Sequence, residues 1–259
     1  DFCLSRGLGD VYKRQDKTFG QIIQMGEYRR FKERVMISVQ IQRTADGSST
    51  LYLPDLDEHY HSVKGAKEEA SHVYVHTAFD ACVKESVNVL EMGFGTGLNA
   101  FLTLLASQSR NGKIYYTALE AYPLPLDIIE RLRYPETIEP AASGLFLKLH
   151  EAGWNVREQI TPSFHLLKIQ ADLLKYDFHD NKYDVVYYDA FAPEKQPELW
   201  DESVFSRIYD VLFPGGILST YCAKGEVRRR LQRCGFLVER LQGPPGGKRE
   251  ILRAVKPFV

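Results

Sequence analysis

The feature that most constrains this chain is the run Asn88-Val-Leu-Glu-Met-Gly-Phe-Gly-Thr-Gly97, followed at once by Leu98-Asn-Ala-Phe-Leu-Thr-Leu-Leu105. An apolar strand, a turn holding three glycines and an apolar helix, in that order, make the opening half of a βαβ unit. Gly93, Gly95 and Gly97 let the main chain turn tightly and approach a ligand where a Cβ would collide. Short apolar runs and helical stretches alternate from Ser86 onward, as expected of a mostly parallel sheet covered on both faces. Strands are expected at about 87–92, 114–119, 164–169, 184–189, 216–221, 236–241 and 248–254, which makes seven. Helices are expected at about 97–109, 124–132, 140–151, 201–212 and 224–233. The last two strands, either side of Gly243-Pro-Pro-Gly-Gly247, read as an antiparallel ending, with that turn as a hairpin loop.

Upstream, residues 34–61 give two β-rich runs around Asp46-Gly47, a hairpin, and 64–81 gives a helix with Ala66, Ala70, Val73 and Thr77 on one face. Asp1–Gln15 carries scattered charges, no apolar centre and no initiator Met, and reads as a non-native leader with the native chain beginning near Asp16. The expected division is thus a leader at 1–15, a β-rich extension and helix at 16–80, and the main domain at 81–259.

Composition narrows the classes. The hydrophobic share is 44% and the charged share 26%, values of an ordinary folded protein and not of a disordered or collagen-like chain. Every apolar run is interrupted well short of a membrane span of roughly 18 residues. Cys3, Cys82, Cys222 and Cys234 lie far apart, which suggests neither a disulfide framework nor a zinc site and points to a reducing cytosol. Net charge is −1, so a nucleic-acid partner has to be met by a local basic patch.

The glycines run G-x-G-x-G with Glu91 two residues ahead, unlike the G-x-G-x-x-G of dinucleotide sites. This variant resembles motif I of S-adenosylmethionine-dependent methyltransferases, whose loop wraps the methionine and ribose parts of a cofactor without a diphosphate. Ile114–Glu120 is a strand ending in an acid 23 residues past Gly97, a placement suited to ribose hydroxyls. Asp172 follows the third strand, where related methyltransferases bind the adenine amino group. Lys182–Asp189 is an apolar strand delivering Asp189 to the carboxyl edge of the sheet, the edge at which ligands sit. Phe191, two residues on, is placed to stack on a planar base, or else packs beneath the loop.

Residues 187–208, 212–236 and 246–254, with the block Asp189, Phe191, Pro193, Lys195, Pro197 and Trp200, resemble the methyltransferase domain of the MnmC family. Members of that family are bifunctional tRNA 5-methylaminomethyl-2-thiouridine biosynthesis proteins. The likeness extends over roughly residues 30–256. It implies a doubly wound, Rossmann-like class I methyltransferase with a seven-stranded, mostly parallel sheet and an N-terminal hairpin. It further implies N-methylation of 5-aminomethyl-2-thiouridine at the tRNA wobble position in the cytoplasm. Asp189 and Phe191 are then the catalytic pair, and Glu91, Gly93, Gly95, Gly97, Glu120 and Asp172 the S-adenosylmethionine set. The fused family members carry an FAD-dependent oxidase domain that supplies the amine. No second glycine fingerprint precedes a helix here, so no FAD is expected, and a separate oxidase or other enzyme becomes the expected partner.

Between Lys224 and Arg253 nine Lys or Arg face three Glu. A solvated helix face explains such a run, and so does a phosphate-binding patch. With the family likeness, Lys195, Lys224, Arg228, Lys248 and Arg249 are the expected tRNA contacts, Lys195 and the Lys248-Arg249 pair nearest the active edge. Cys222 is read as structural, since an amine needs no covalent intermediate. His59, His61, His72 and His76 lack a metal-ligand pattern with carboxylates, and His61 alone is placed to touch cofactor or substrate. Two competitors stay open: an aminopropyltransferase of polyamine synthesis, and a non-catalytic RNA-binding module on the same fold.

Overall fold

A computed structural model describes residues 39–179 and 181–258. The expected leader at 1–15, the start near Asp16, Cys3 and the first part of the 34–43 run lie outside the described residues.

Three short strands, β1 (Gln40–Arg43), β2 (Ser49–Leu53) and β3 (Glu58–His59), form an antiparallel sheet of their own. The β1–β2 turn fastens this sheet to the helix that follows. Asp46 Oδ2 accepts the Glu68 N–H at 2.9 Å, and the Thr44 and Ser48 hydroxyls accept from Ala66 and Lys67. Helix α1 (Ala66–Ala70) begins at Gly65, which has no side chain to cap it, so the hairpin satisfies its free N–H groups. The helix continues as a π-helical segment, Ser71–Phe79. The Asp80 N–H bonds the Val75 carbonyl five residues back at 2.9 Å, and the Thr77 hydroxyl bonds His72 O at 2.8 Å.

The main sheet has eight strands in the order β10-β11-β9-β8-β4-β5-β7-β6. These are β4 (Val87–Met92), β5 (Ile114–Glu120), β6 (Arg157–Gln159), β7 (Phe164–Gln170), β8 (Tyr183–Tyr188), β9 (Leu212–Thr220), β10 (Leu237–Gln242) and β11 (Glu250–Val255). Pairings β9–β8–β4–β5–β7 are parallel, whereas β6–β7, β11–β9 and β10–β11 are antiparallel. The expected doubly wound, mostly parallel fold is present, and the Gly243–Gly247 turn is a hairpin loop. Two details are corrected. The sheet has eight strands, not seven, because the three-residue β6 adds an edge. The N-terminal hairpin is extended by β3.

Helices α2 (Leu98–Ser107), α3 (Leu126–Leu132), α4 (Tyr134–Ile138) and α5 (Ser143–Glu151) precede β8, and α6 (Glu202–Val211) and α7 (Gly225–Arg233) follow it. Alternate strand residues enter two cores. Val185 and Tyr187 join the layer of α2 and the π-helical segment, while Val186 and Tyr188 join that of α6 and α7. Strands buried on both faces are why β4 and β8 are mostly apolar, interrupted only by Asn88, Glu91 and Asp184.

Candidate active site

The carboxyl ends of β4, β5, β7 and β8 open into a cavity of ≈ 1220 Å³. That exceeds the roughly 300–1000 Å³ usual for one small ligand. Its floor is the turn from β4 to α2. The Gly93 and Phe94 N–H groups both bond Leu119 O, at 2.9 and 3.1 Å. Gly93 has φ +90° and a Cβ there would stand 3.0 Å from the Asp189 carbonyl; Gly95 has φ +48° and a Cβ would stand 3.2 Å from the Tyr60 ring. Side chains at either position would fill the cradle. Gly97 serves packing instead, since a Cβ there would lie 2.6 Å from His150 Nε2, and Gly97 is not on the cavity wall.

Glu120, at the end of β5, accepts the Gly95 N–H on Oε2 and the Tyr122 N–H on Oε1, each at 2.9 Å. Each oxygen keeps a lone pair for a further donor such as a hydroxyl. Burial raises its pKa, and the backbone N–H groups of Tyr122, Gly95 and Ala121 oppose the rise. Asp172 also lines the cavity, its Oδ1 held by the Leu174 N–H at 3.0 Å and its Oδ2 3.3 Å from Lys175 Nζ. Glu91 departs from expectation. On β4 it alternates to the α2 side, fully buried, and does not reach the wall. Burial raises its pKa well above the ordinary carboxylate value, against the opposing pull of the Tyr116 and Asn99 side chains beside it.

Asp189 stands just past the end of β8 on the wall. Its Oδ1 accepts the Tyr74 hydroxyl at 2.6 Å and its Oδ2 the Asn99 amide at 2.8 Å. Burial pushes its pKa up to about 6, against the lowering effect of those two donors. Phe191 meets Tyr60 edge-on with centroids 5.2 Å apart, and the Trp200 indole N–H bonds the Phe191 carbonyl at 2.8 Å. Both rings border the cavity.

Spacing gave no sign of Tyr60, Glu69 or Tyr74 at this site, because the N-terminal sheet, α1 and the π-helical segment fold back over the edge; Tyr221, just past β9, was also missed. Asn99 carried a signal: it is a buried polar residue in an otherwise apolar first helical turn. His61 lines the cavity, as expected of it, with Nδ1 unpartnered among the described residues and its pKa lowered to about 4 by burial. Cys222 also lies on the wall, buried, its thiol pushed up by burial.

The basic residues divide. Lys248 reaches the wall, 3.1 Å from buried Glu69 Oε2 and 3.7 Å from the Tyr221 ring centroid. Lys224 also lines the cavity, ion-paired with Glu194. Lys195, Arg228 and Arg249 lie off the wall, Lys195 and Arg249 exposed and Arg228 half-buried. Of the nine cations between 224 and 253, Lys224, Arg230, Arg233, Arg240, Lys248 and Arg253 are spent on internal ion pairs.

Residues 146–257 match a family described as S-adenosyl-L-methionine-dependent methyltransferase. The tRNA 5-methylaminomethyl-2-thiouridine biosynthesis bifunctional protein MnmC of Paraburkholderia xenovorans (strain LB400) is 28% identical over 222 residues, 79% of this chain and 33% of that protein. Its namesake from Magnetococcus marinus is 30% identical over 229 residues, 80% and 32% respectively. The crystal structure of MNMC2 from Aquifex aeolicus superposes with TM-score 0.67 at 25% identity, covering 98% of this chain and 85% of that one. The chain carries an S-adenosylmethionine-dependent methyltransferase domain and is similar to the methyltransferase part of the MnmC proteins. It spans about a third of the length of the MnmC proteins it matches. Spermidine synthase from Thermotoga maritima, at 16% identity and TM-score 0.53, shares the fold.

The cofactor's fit to these residues is direct. The Gly93–Gly95 cradle leaves room that a Cβ would fill, and Glu120 holds spare lone pairs beside it. Among the described residues no group of three His, Cys, Asp or Glu is arranged to hold a metal ion, and no helix is long and apolar enough to cross a membrane.

Proposed function

We propose that this enzyme N-methylates 5-aminomethyl-2-thiouridine at the wobble position of tRNA, giving the 5-methylaminomethyl form. The observation that carries the reading is Asp189, a half-buried carboxylate fixed by two donors on the same wall as the glycine cradle. S-adenosylmethionine supplies an electrophilic methyl group on a sulfonium. Glu120 is positioned for the ribose hydroxyls, the 93–96 loop for the methionine part, and Asp172 for the adenine amino group.

An alkylamine reaches the site as an ammonium and must lose a proton before it can attack. Asp189 is ionised above about pH 6 and has one free lone pair on each oxygen to accept an amine N–H. It holds the nitrogen in place and takes its proton, a role worth typically 10²–10⁴-fold in rate. Phe191 and Tyr60 offer an aromatic corner for the base. Orientation of the two reactants supplies the rest. The amine itself comes from an oxidative step on a substituted uridine, by an FAD-dependent oxidase fused to the family's members or acting separately. Outside the cavity, Lys195, Arg228 and Arg249 are the proposed phosphate contacts.

A second reading, aminopropyl transfer to a diamine, draws on the carboxylates Glu58, Glu69, Glu198 and Glu250, which line the same cavity and suit a dication. One assay separates the two. Purified enzyme is given labelled S-adenosylmethionine and tRNA from cells lacking the last step of this modification, and the tRNA is digested and its nucleosides weighed. 5-Methylaminomethyl-2-thiouridine is expected, and is expected to vanish in Asp189→Ala; transfer to no tRNA would discard the reading.

A further inference from the structure

We propose that Tyr74 is a positioning residue for methyl transfer, its hydroxyl and the Asn99 amide together fixing the Asp189 carboxylate toward the cavity. The inference rests on the assignment of Asp189 above, and extends it to a segment 115 residues away in sequence.

Tyr74 lies in the π-helical segment Ser71–Phe79. Such wide turns are locally unfavourable and recur where a side chain has to be aimed. The segment is pinned at this point, since the Ser219 hydroxyl of β9 bonds the neighbouring Val73 carbonyl at 2.6 Å. The Tyr74 ring is buried against Tyr187 with centroids 5.2 Å apart, which turns its hydroxyl toward the Asp189 carboxylate, with the Tyr188 carbonyl a longer 3.5 Å away. Its target lies at 2.6 Å, while the second oxygen of the same carboxylate takes Asn99 at 2.8 Å. Two donors from two elements remove the carboxylate's freedom to rotate about its terminal bond. Each leaves one lone pair of its oxygen free for a substrate N–H.

Asp189 also faces the charged or titratable Glu69 of α1, Glu91 of β4, Tyr116 of β5, Tyr221 after β9 and Lys248 of the β10–β11 loop. Of these, none donates a hydrogen bond to it; Tyr74 and Asn99 do. Deleting a donor to a carboxylate disfavours its ionised form, so the proton-binding constant rises.

The test is Tyr74→Phe, which keeps the ring and removes only the donor. Asp189 is followed by carbon NMR of its carboxyl group in the free protein, and the acid limb of kcat/KM is followed in the methylation assay. Both midpoints are expected to rise by about one pH unit, with kcat falling at least tenfold and KM little changed. Asn99→Ala should move both in the same direction, and serves if Tyr74→Phe does not fold. Unmoved midpoints in a folded variant would overturn the proposal even if activity fell, because a merely structural tyrosine lowers stability without shifting Asp189. The carbon titration contains no substrate, so a failed tRNA assay would remove the substrate reading without deciding this one.

Discussion

Asp189 is a carboxylate kept where ionisation is expensive, and its thermodynamic signature follows with a definite sign. The folded protein binds its proton up to about pH 6, whereas an unfolded Asp releases it near 3.9. Between those values the native state holds more protons than the unfolded state, so stability falls as pH rises through the window. Asp189→Asn removes that loss. Its unfolding free energy should exceed wild type by about 3 kcal/mol at pH 8 and match it below pH 4, while methyl transfer drops at least 10²-fold. Urea unfolding at the two pH values checks the first claim. The gain requires Asn99 to turn its amide round, which its unpartnered Oδ1 permits. Gly95→Ala is a separate matter: the added Cβ meets Tyr60 and the left-handed φ costs about 1–2 kcal/mol. Calorimetry should find S-adenosylmethionine affinity reduced at least tenfold in a protein that still folds. Spacing made Gly93, Gly95, Glu120 and Asp189 legible, because each lies at a strand end where βαβ geometry dictates position. Tyr74 and Tyr60 had no such address; their place depends on how a preceding segment folds over the edge. Glu91 was legible as an acid before glycines, yet strand alternation turned it inward.

At the scale of elements, periodicity located every strand longer than three residues in the main sheet and each long helix. It missed β6, whose three residues are too few to alternate, and it had no means of telling a π-helical turn from an α-helical one. The β10–β11 hairpin shows how an element serves a distant site. Its loop projects Lys248 onto Glu69, which is only 8% exposed, while Lys248 itself is 41% exposed. Truncating the lysine strands an almost buried charge, and half-solvation of its partner moderates the loss. Lys248→Ala should destabilise by about 1–3 kcal/mol, and adding Glu69→Gln should restore part of it. Additive losses in a double-mutant cycle would mean that the two side chains do not depend on each other.

The whole molecule carries almost no net charge, and most cations of its basic stretch already have carboxylate partners. Lys195, Arg228, Arg229 and Arg249 take part in no ion pair among the described residues. With three or four phosphate contacts, the slope of log affinity against log salt should be about −3. Fluorescence anisotropy of tRNA binding between 50 and 200 mM salt measures it. A slope near −8 would mean that the internal pairs open on RNA. The order of strands carries one more consequence, for the chain as it is made. Strand β4 pairs on one side with β5, close behind it, and on the other with β8, where Met92 sits opposite Tyr188, 96 residues later. At roughly 5–20 residues per second, a ribosome leaves that flank of β4 bare for about 5–20 s before its mate exists. The strand that ends in the glycine turn is thus the one whose flank waits longest for its neighbour in the main sheet.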